Sequence, residues 1–335
     1  WLEALDFVHD LCGTHRRMET SCYLYQQKEA YCISDVIRRR REMLGMTKKA
    51  LCDGICSEKT IGRLEAKKTK PQIEIVRLLF ERLNLSGEYQ RWQVVTKDVK
   101  AYPIVGEIGR CTNNYDFLEV GKLLKELEQY ISLENPINRQ YVERIKVYLK
   151  ILNENLSNEK MKEELIKVLE YTIPYEVAIK DMEKYMTNVE IQCLLNISLY
   201  MNDQNVNVVF ESLLRLCEQM EEDEGSSEHI TIWELVMTNI SNAYGDIGEY
   251  DKSDMISLRV MKECVRCYRT NTLASNLYNN VWNYGERVKK NIPILRGYQE
   301  EAYLKKCITL CQLCKNTKRE SKIIEKLTQL LTQIR

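Results

Sequence analysis

Apolar residues recur at three- and four-residue spacings through most of this chain, and strict alternation is rare. That period belongs to helices with one buried face. From Tyr115 onward the pattern reads as helix after helix of roughly 12–20 residues. Asn135-Pro136 is an N-cap followed by proline at the first helical position. Ser157-Asn158-Glu159 opens a helix that ends near Tyr171, before Pro174. Further helices are expected over about 188–201, 204–222, 229–246, 250–269, 272–290, 298–315 and 319–334. The acidic run Glu221 to Glu224, followed by Gly225-Ser226-Ser227, reads as a solvated loop.

Two stretches depart from this rhythm. Residues 46–71 read as two short helices joined by a tight turn, and 85–112 gather Gly87, Pro103, Gly106 and Gly109 as a linker would. Four segments follow. Residues 1–32 are expected as a helical remnant of an upstream segment, because the chain opens at Trp1 inside an apparent helix and has no initiator Met. Residues 33–92 form a compact head, 93–114 a linker, and 115–335 a helical-repeat domain. Met237 to Val260 fits the tetratricopeptide pattern. Ile240 and Ser241 fall at its Leu-Gly positions and Tyr244 at its aromatic. Gly248 and Tyr250 mark the turn, and Ser253 takes the small position where two helices approach closely. With the serial helix pairs, this points to an α-solenoid; an irregular helical bundle is the other packing open to it.

Composition sharpens the fold class to all-α, since only 13 Gly and 5 Pro are present in 335 residues. Lys plus Arg equals Asp plus Glu at 49 each, so any nucleic-acid contact must come from a local patch. Residues 33–70 supply one, with eleven Lys/Arg against five acids, a net +6. No apolar run reaches the roughly 18 residues of a membrane span, and no signal peptide is evident, so a cytoplasmic protein without membrane contact is expected. The 13 cysteines are expected as reduced, mostly buried thiols. Cys264 and Cys267, and Cys311 and Cys314, have zinc-like spacing but lie mid-helix without a knuckle glycine, so no metal is expected. The P-loop, GxSxG, HExxH and dinucleotide fingerprints are missing, and three scattered histidines offer little for acid–base work. Neither an enzyme nor a cofactor is expected.

The 46–71 segment has a specific physical reading. Thr47 can cap a short helix through Asp53, and Gly54 permits the positive φ that ends it. Ile55 plugs the turn, and Ser57 caps a second helix from Glu58 to about Ala66. Ile61 and Leu64 face inward with Leu51 and Ile37. Glu58, Lys59, Gly62 and Arg63 face outward near the N-terminal end, where a recognition helix meets base edges. Arg63 suits guanine and Lys59 a base or a phosphate; Lys48, Lys49, Lys67, Lys68 and Lys70 suit backbone phosphates. Thr47, Ser57 and Thr60 complete the candidate DNA-contacting set.

The pattern GICSxxTIxRLExxxxxP, from Gly54 to Pro71, resembles the Cro-like (XRE) helix-turn-helix. It is most similar to the version in the Rgg/PlcR-like peptide-responsive regulators of Firmicutes. Ile37, Arg41, Thr47, Leu51, Ile55, Cys56, Ser57, Thr60, Ile61, Arg63, Leu64 and Glu65 carry the match, and Leu78, Phe80, Leu83, Asn84 and Leu85 extend it. Over 115–335 the likeness rests on helix pattern and on segments such as NAYGDIGEYDKS and SNLYNNVWNYGER. Two positions depart from the family: Ala66-Lys67 replaces the usual Asn-Gly, and Lys48 stands where Gln is common.

The resemblance implies a five-helix XRE-type domain followed by a tetratricopeptide-like domain that senses a short signalling peptide or another small ligand. It also implies a homodimer on a roughly two-fold operator. In that family, asparagines line the ligand groove. Here Asn276, Asn279, Asn280 and Asn283 fall at i, i+3, i+4 and i+7, with Asn239 and Asn242 on a similar face of an earlier helix. Side-chain amides both donate and accept, so they can pair with a peptide backbone of any sequence. An ordinary polar face, or hydrogen bonds between helices, accounts for the same stripe equally well. For the whole chain, the alternative is a peptide- or protein-binding α-solenoid whose degenerate helix-turn-helix has lost specific DNA readout.

Overall fold

The computed structural model describes residues 1–14, 33–69, 72–86, 93–113, 116–153, 157–201, 205–222, 227–267, 269–270, 272–294 and 298–333. Regular secondary structure within them is helical throughout. The chain divides into two compact units, residues 29–228 and residues 1–28 together with 229–335.

The first helix, α1 (Leu2–Cys12), belongs to the second of these units and packs against two of its C-terminal helices. Ala4 and Val8 are buried there, and the Phe7 ring meets Tyr303 edge-on at 4.9 Å. Helix α1, within the stretch 1–32 expected as an upstream remnant, is therefore part of a core supplied from the far end of the chain.

The other unit opens with α2 (Ile33–Met43), α3 (Lys48–Cys52), α4 (Glu58–Glu65) and α5 (Ile73–Arg82), four of the five helices expected in the head. Ile37, Leu51, Ile61, Leu64, Leu79 and Leu83 are fully buried among them. Gly54, at φ 68°, makes the turn from α3 to α4. Arg82 closes the C-terminal end of α3 by donating to the Leu51 carbonyl at 3.0 Å and to that of Asp53. Tyr185, from a much later segment, packs into the same core.

The unit continues through α6 (Ala101–Asn113), α7 (Phe117–Leu127), α8 (Pro136–Asn153), α9 (Asn158–Leu169), α10 (Tyr175–Ile179), α11 (Asn188–Ser198) and α12 (Asn205–Glu222). Asn135 Oδ1 caps α8 and Ser157 Oγ caps α9. Helix α6 corrects the expected linker over 93–114. Ala101, Ile104, Ile108 and Cys111 are buried at helical spacing and pack it on α7. Pro103 lies in the first turn, where its missing N–H has no helical partner to lose, so it does not break the helix. Residues 29–228 therefore form one unit, and the expected boundary near 114 gives way to one near 228.

The C-terminal unit continues with α13 (Ser227–Asp246), α14 (Tyr250–Arg266), α15 (Leu273–Lys289), α16 (Glu300–Leu313) and α17 (Thr317–Gln333). From α14 to α17 each helix packs on the next, as repeats do. Gly248, at φ 88°, turns α13 into α14. Ser241 Oγ lies 2.8 Å from both the Ser253 carbonyl and Ser257 Oγ, so α13 and α14 meet through small hydroxyl residues. None of the described cysteines is in a disulfide. Among the described residues, no helix is long and apolar enough to cross a membrane.

Candidate DNA interface and ligand cleft

The α3–α4 pair is held by its caps. Thr47 Oγ1 accepts from the Ala50 amide at 3.1 Å, and Ser57 Oγ accepts from the Thr60 amide at 3.1 Å. Ser57 Oγ also lies 2.8 Å from Thr60 Oγ1, so both hydroxyls are engaged within the helix start. With Ile61 and Leu64 inward, Glu58, Lys59 and Arg63 are exposed, and Gly62 is half-buried with open space where a Cβ would stand. Lys49 and Lys68 are exposed too, and no ion pair engages Lys49, Lys59, Arg63 or Lys68 among the described residues.

Two of the candidate phosphate-binding lysines are placed differently. Lys48 Nζ sits 3.2 Å from Glu65, whose carboxylate also takes a two-pronged contact from Arg41 at 2.6 and 3.1 Å. Lys67 takes the left-handed conformation, φ 58°, at the end of α4, and its ammonium pairs with Asp35 at 2.8 Å. Lys70, and Pro71 of the sequence pattern, lie outside the described residues.

Helix α2 anchors this head to the helices that follow it. The Arg40 guanidinium donates to Glu190 Oε2 at 2.8 Å and Oε1 at 2.7 Å, with both side chains fully buried. It also donates to the carbonyls of Leu83 and Tyr185, both at 3.0 Å. Glu190 accepts further from Thr172 Oγ1 at 2.6 Å and from the Thr187 amide at 2.8 Å, and Gln140 supports Thr172 at 2.7 Å. Every charge in this knot has several partners, which is the condition for burying an ion pair. Outside it, Arg38 and Arg39 reach Glu183 at 3.1 and 2.8 Å and hold its carboxyl below the usual range against partial desolvation. In the sequence these arginines read only as part of a basic run.

The asparagine stripe divides in two. Asn276 and Asn283 are buried and serve helix packing. Asn276 Nδ2 donates to Thr238 Oγ1 and to the Thr272 carbonyl, both at 3.0 Å, while Asn283 Nδ2 donates to Ser253 Oγ at 2.9 Å and Asp254 at 2.6 Å. Asn239 donates to the Leu235 carbonyl of its own helix at 2.8 Å. Asn242 and Asn279 instead line a cleft of ≈ 300 Å³, with Gly245, Asp246, Ser253, Tyr278, Trp282 and the edge of Asn283. Asn239 and Asn280 do not line it.

Gly245 lets α15 approach α13 closely beside the cleft. A Cβ there would stand 2.9 Å from Asn283 Oδ1 and 3.2 Å from the Trp282 ring. Asp246 and Gly245 were not candidates from the sequence. The signal available was a glycine followed by an acid at the predicted end of a helix.

Comparison with known proteins fits this geometry. Residues 37–90 match the helix-turn-helix family. The α2–α5 segment is a helix-turn-helix domain. No curated protein sequence matches the chain. Among solved structures, the chain is similar to Bacillus thuringiensis PlcR in complex with the peptide PapR7 and DNA. The identity is 13%, the TM-score is 0.54, and the match covers 88% of this chain and 99% of that one. ComR from S. thermophilus, in complex with DNA and its signalling peptide ComS, gives 13% identity and a TM-score of 0.49 over 89% of this chain and 99% of that one. The PlcR match shows the fold: a helix-turn-helix head followed by helical repeats, shared over almost the whole length of both chains.

Proposed function

We propose that this protein is a sequence-specific DNA-binding transcription regulator whose C-terminal helical unit senses a short peptide or similar small ligand. The observation that carries the reading is the helix-turn-helix head, with Lys59 and Arg63 exposed on a capped α4 and without intrachain ion partners among the described residues. Arg63 has the paired donors that suit guanine, and Lys49 and Lys68 suit phosphates. Lys48 and Lys67, already paired, would contact DNA only by leaving Glu65 and Asp35. The likeness to PlcR, solved with a peptide and DNA, supports both partners, and the ≈ 300 Å³ cleft supports the second. A homodimer on a two-fold operator is the arrangement such heads use. Ligand and operator would be coupled only if the ligand prefers one conformation of the protein.

The paired lysines and the Ala66-Lys67 departure also fit the second reading, a solenoid whose head has lost specific readout. Gel shifts on DNA from upstream of the protein's own coding region, run across a salt series, separate the two. Binding is expected to weaken steeply with salt, and Arg63→Ala is expected to lose about 1–3 kcal/mol of discrimination while retaining non-specific affinity. Equal affinity for random DNA, before and after that change, would leave only the solenoid reading.

A further inference from the structure

The cleft of the C-terminal unit is lined by one formally charged side chain, Asp246. It is the last residue of α13, at the negative end of the helix macrodipole, and no basic residue occupies the last turn. No hydrogen bond or ion pair engages its carboxylate among the described residues. The nearby cations are committed elsewhere. Lys252 pairs with Glu249, Arg287 with Asp251 and Asp254, Lys326 with Glu300, and Lys290 with the Tyr250 hydroxyl. Partial desolvation raises the Asp246 pKa, with no opposing charge to lower it. An anion placed against a helix C-terminus, with no counter-charge, is locally unfavourable, and a positive ligand group would relieve it.

The rest of the lining suits the same ligand. The Trp282 and Tyr278 rings supply apolar lining for an alkyl chain, and Lys326 already stands over the Tyr278 ring at 5.3 Å. Asn242 makes no hydrogen bond within the described protein, and Asn279 holds only two long 3.5 Å contacts to Ser241 and Ser257. Both amides can therefore pair with a peptide backbone. A volume of ≈ 300 Å³ is at the small end for ligand sites and suits one or two residues of a longer chain.

Resting on the peptide reading of this cleft, we infer that its ligand presents a cationic nitrogen to Asp246, from either the peptide's α-amino group or a Lys or Arg side chain. Trp282 and Tyr278 carry the adjoining apolar part.

The test is retention of random synthetic hexapeptides by the full chain, read by mass spectrometry after ultrafiltration. Four pools are used, with free or acetylated N-termini, each containing or omitting Lys and Arg. Cation-bearing pools are expected to be retained at least about tenfold better than the acetylated pool without Lys or Arg. Loss of the advantage on acetylation assigns the α-amino group; persistence only with Lys or Arg assigns the side chain. Asp246→Asn should abolish the preference, and Asp246→Lys, which suits a helix C-terminus, should reverse it toward acidic peptides. Equal retention of all four pools, or a preference unchanged in Asp246→Asn, overturns the inference and leaves the peptide reading intact. Retention of none overturns the peptide reading and the inference with it.

Discussion

Lys67 shows at the scale of one residue what the sequence specifies and what it leaves open. Helix α4 ends with a left-handed residue: the Lys67 amide donates to the Leu64 carbonyl and the Lys68 amide to that of Arg63, both at 2.9 Å. Glycine is the usual occupant of such a position because it has no Cβ to clash. This chain holds the conformation with a lysine and gains a half-exposed pair to Asp35, which is worth little in water. Lys67→Gly is therefore expected to stabilise the 29–228 unit by about 1 kcal/mol, or roughly 2–4 °C in Tm, by thermal unfolding. A fall in Tm would mean that the Asp35 pair outweighs the backbone strain. Residue-scale features of this kind were largely legible, because caps at Thr47 and Ser57 and the turn at Gly54 depend on neighbours within four residues. The asparagine stripe was legible in spacing only. Whether a given asparagine faces a cleft or another helix depends on Thr238, Ser253 and Asp254, which come from other elements.

Between elements, the deciding contact is the buried knot that ties α2 to α11. Arg40 and Glu190 are 150 residues apart in sequence, and nothing in local spacing pairs them. Removing one charge leaves the other buried without its partner, so Arg40→Met or Glu190→Gln is expected to cost about 3–5 kcal/mol in urea unfolding. The double variant Arg40→Met/Glu190→Leu should recover most of that loss, because apolar pairs of similar volume substitute well for buried ion pairs. If the double variant is no more stable than the singles, the knot acts through its backbone contacts to Leu83 and Tyr185 rather than through the ion pair. Helix α6 teaches the complementary lesson. Its glycines and proline mark a linker in the sequence, while Ala101, Ile104, Ile108 and Cys111 recur at helical spacing. In the structure the burial of that face prevails, and Gly106 and Gly109 are simply tolerated.

For the molecule as a whole, the head and the helices after it belong to one compact unit. Tyr185 completes the head's core, Asn84 donates to the Thr172 carbonyl at 3.2 Å, and Arg40 has its partner outside the head. A fragment of residues 33–92 should therefore melt at least about 10 °C below a fragment of residues 29–228, by circular dichroism. Equal melting temperatures would show the head to be autonomous. The consequence for regulation is concrete: a signal reaching the head is expected to act on the 29–228 unit, because Arg40, Asn84 and Tyr185 tie the head directly to helices that follow it.

The sequence by itself determined the helical class, most helix positions, the capped α3–α4 pair and the outward set of Lys59 and Arg63. All of these follow from the helical period and from hydrogen bonds spanning a single turn. Only the tertiary structure decided that α1 joins the C-terminal core, that 93–114 contains a helix, that Arg40 is an anchor, and that Asn242, Asn279, Asn283 and Asp246 line the cleft while Asn276 does not. Those outcomes depend on which distant surfaces meet, and the meeting is governed by summed burial and by polar partners far apart in the chain, which no local pattern encodes.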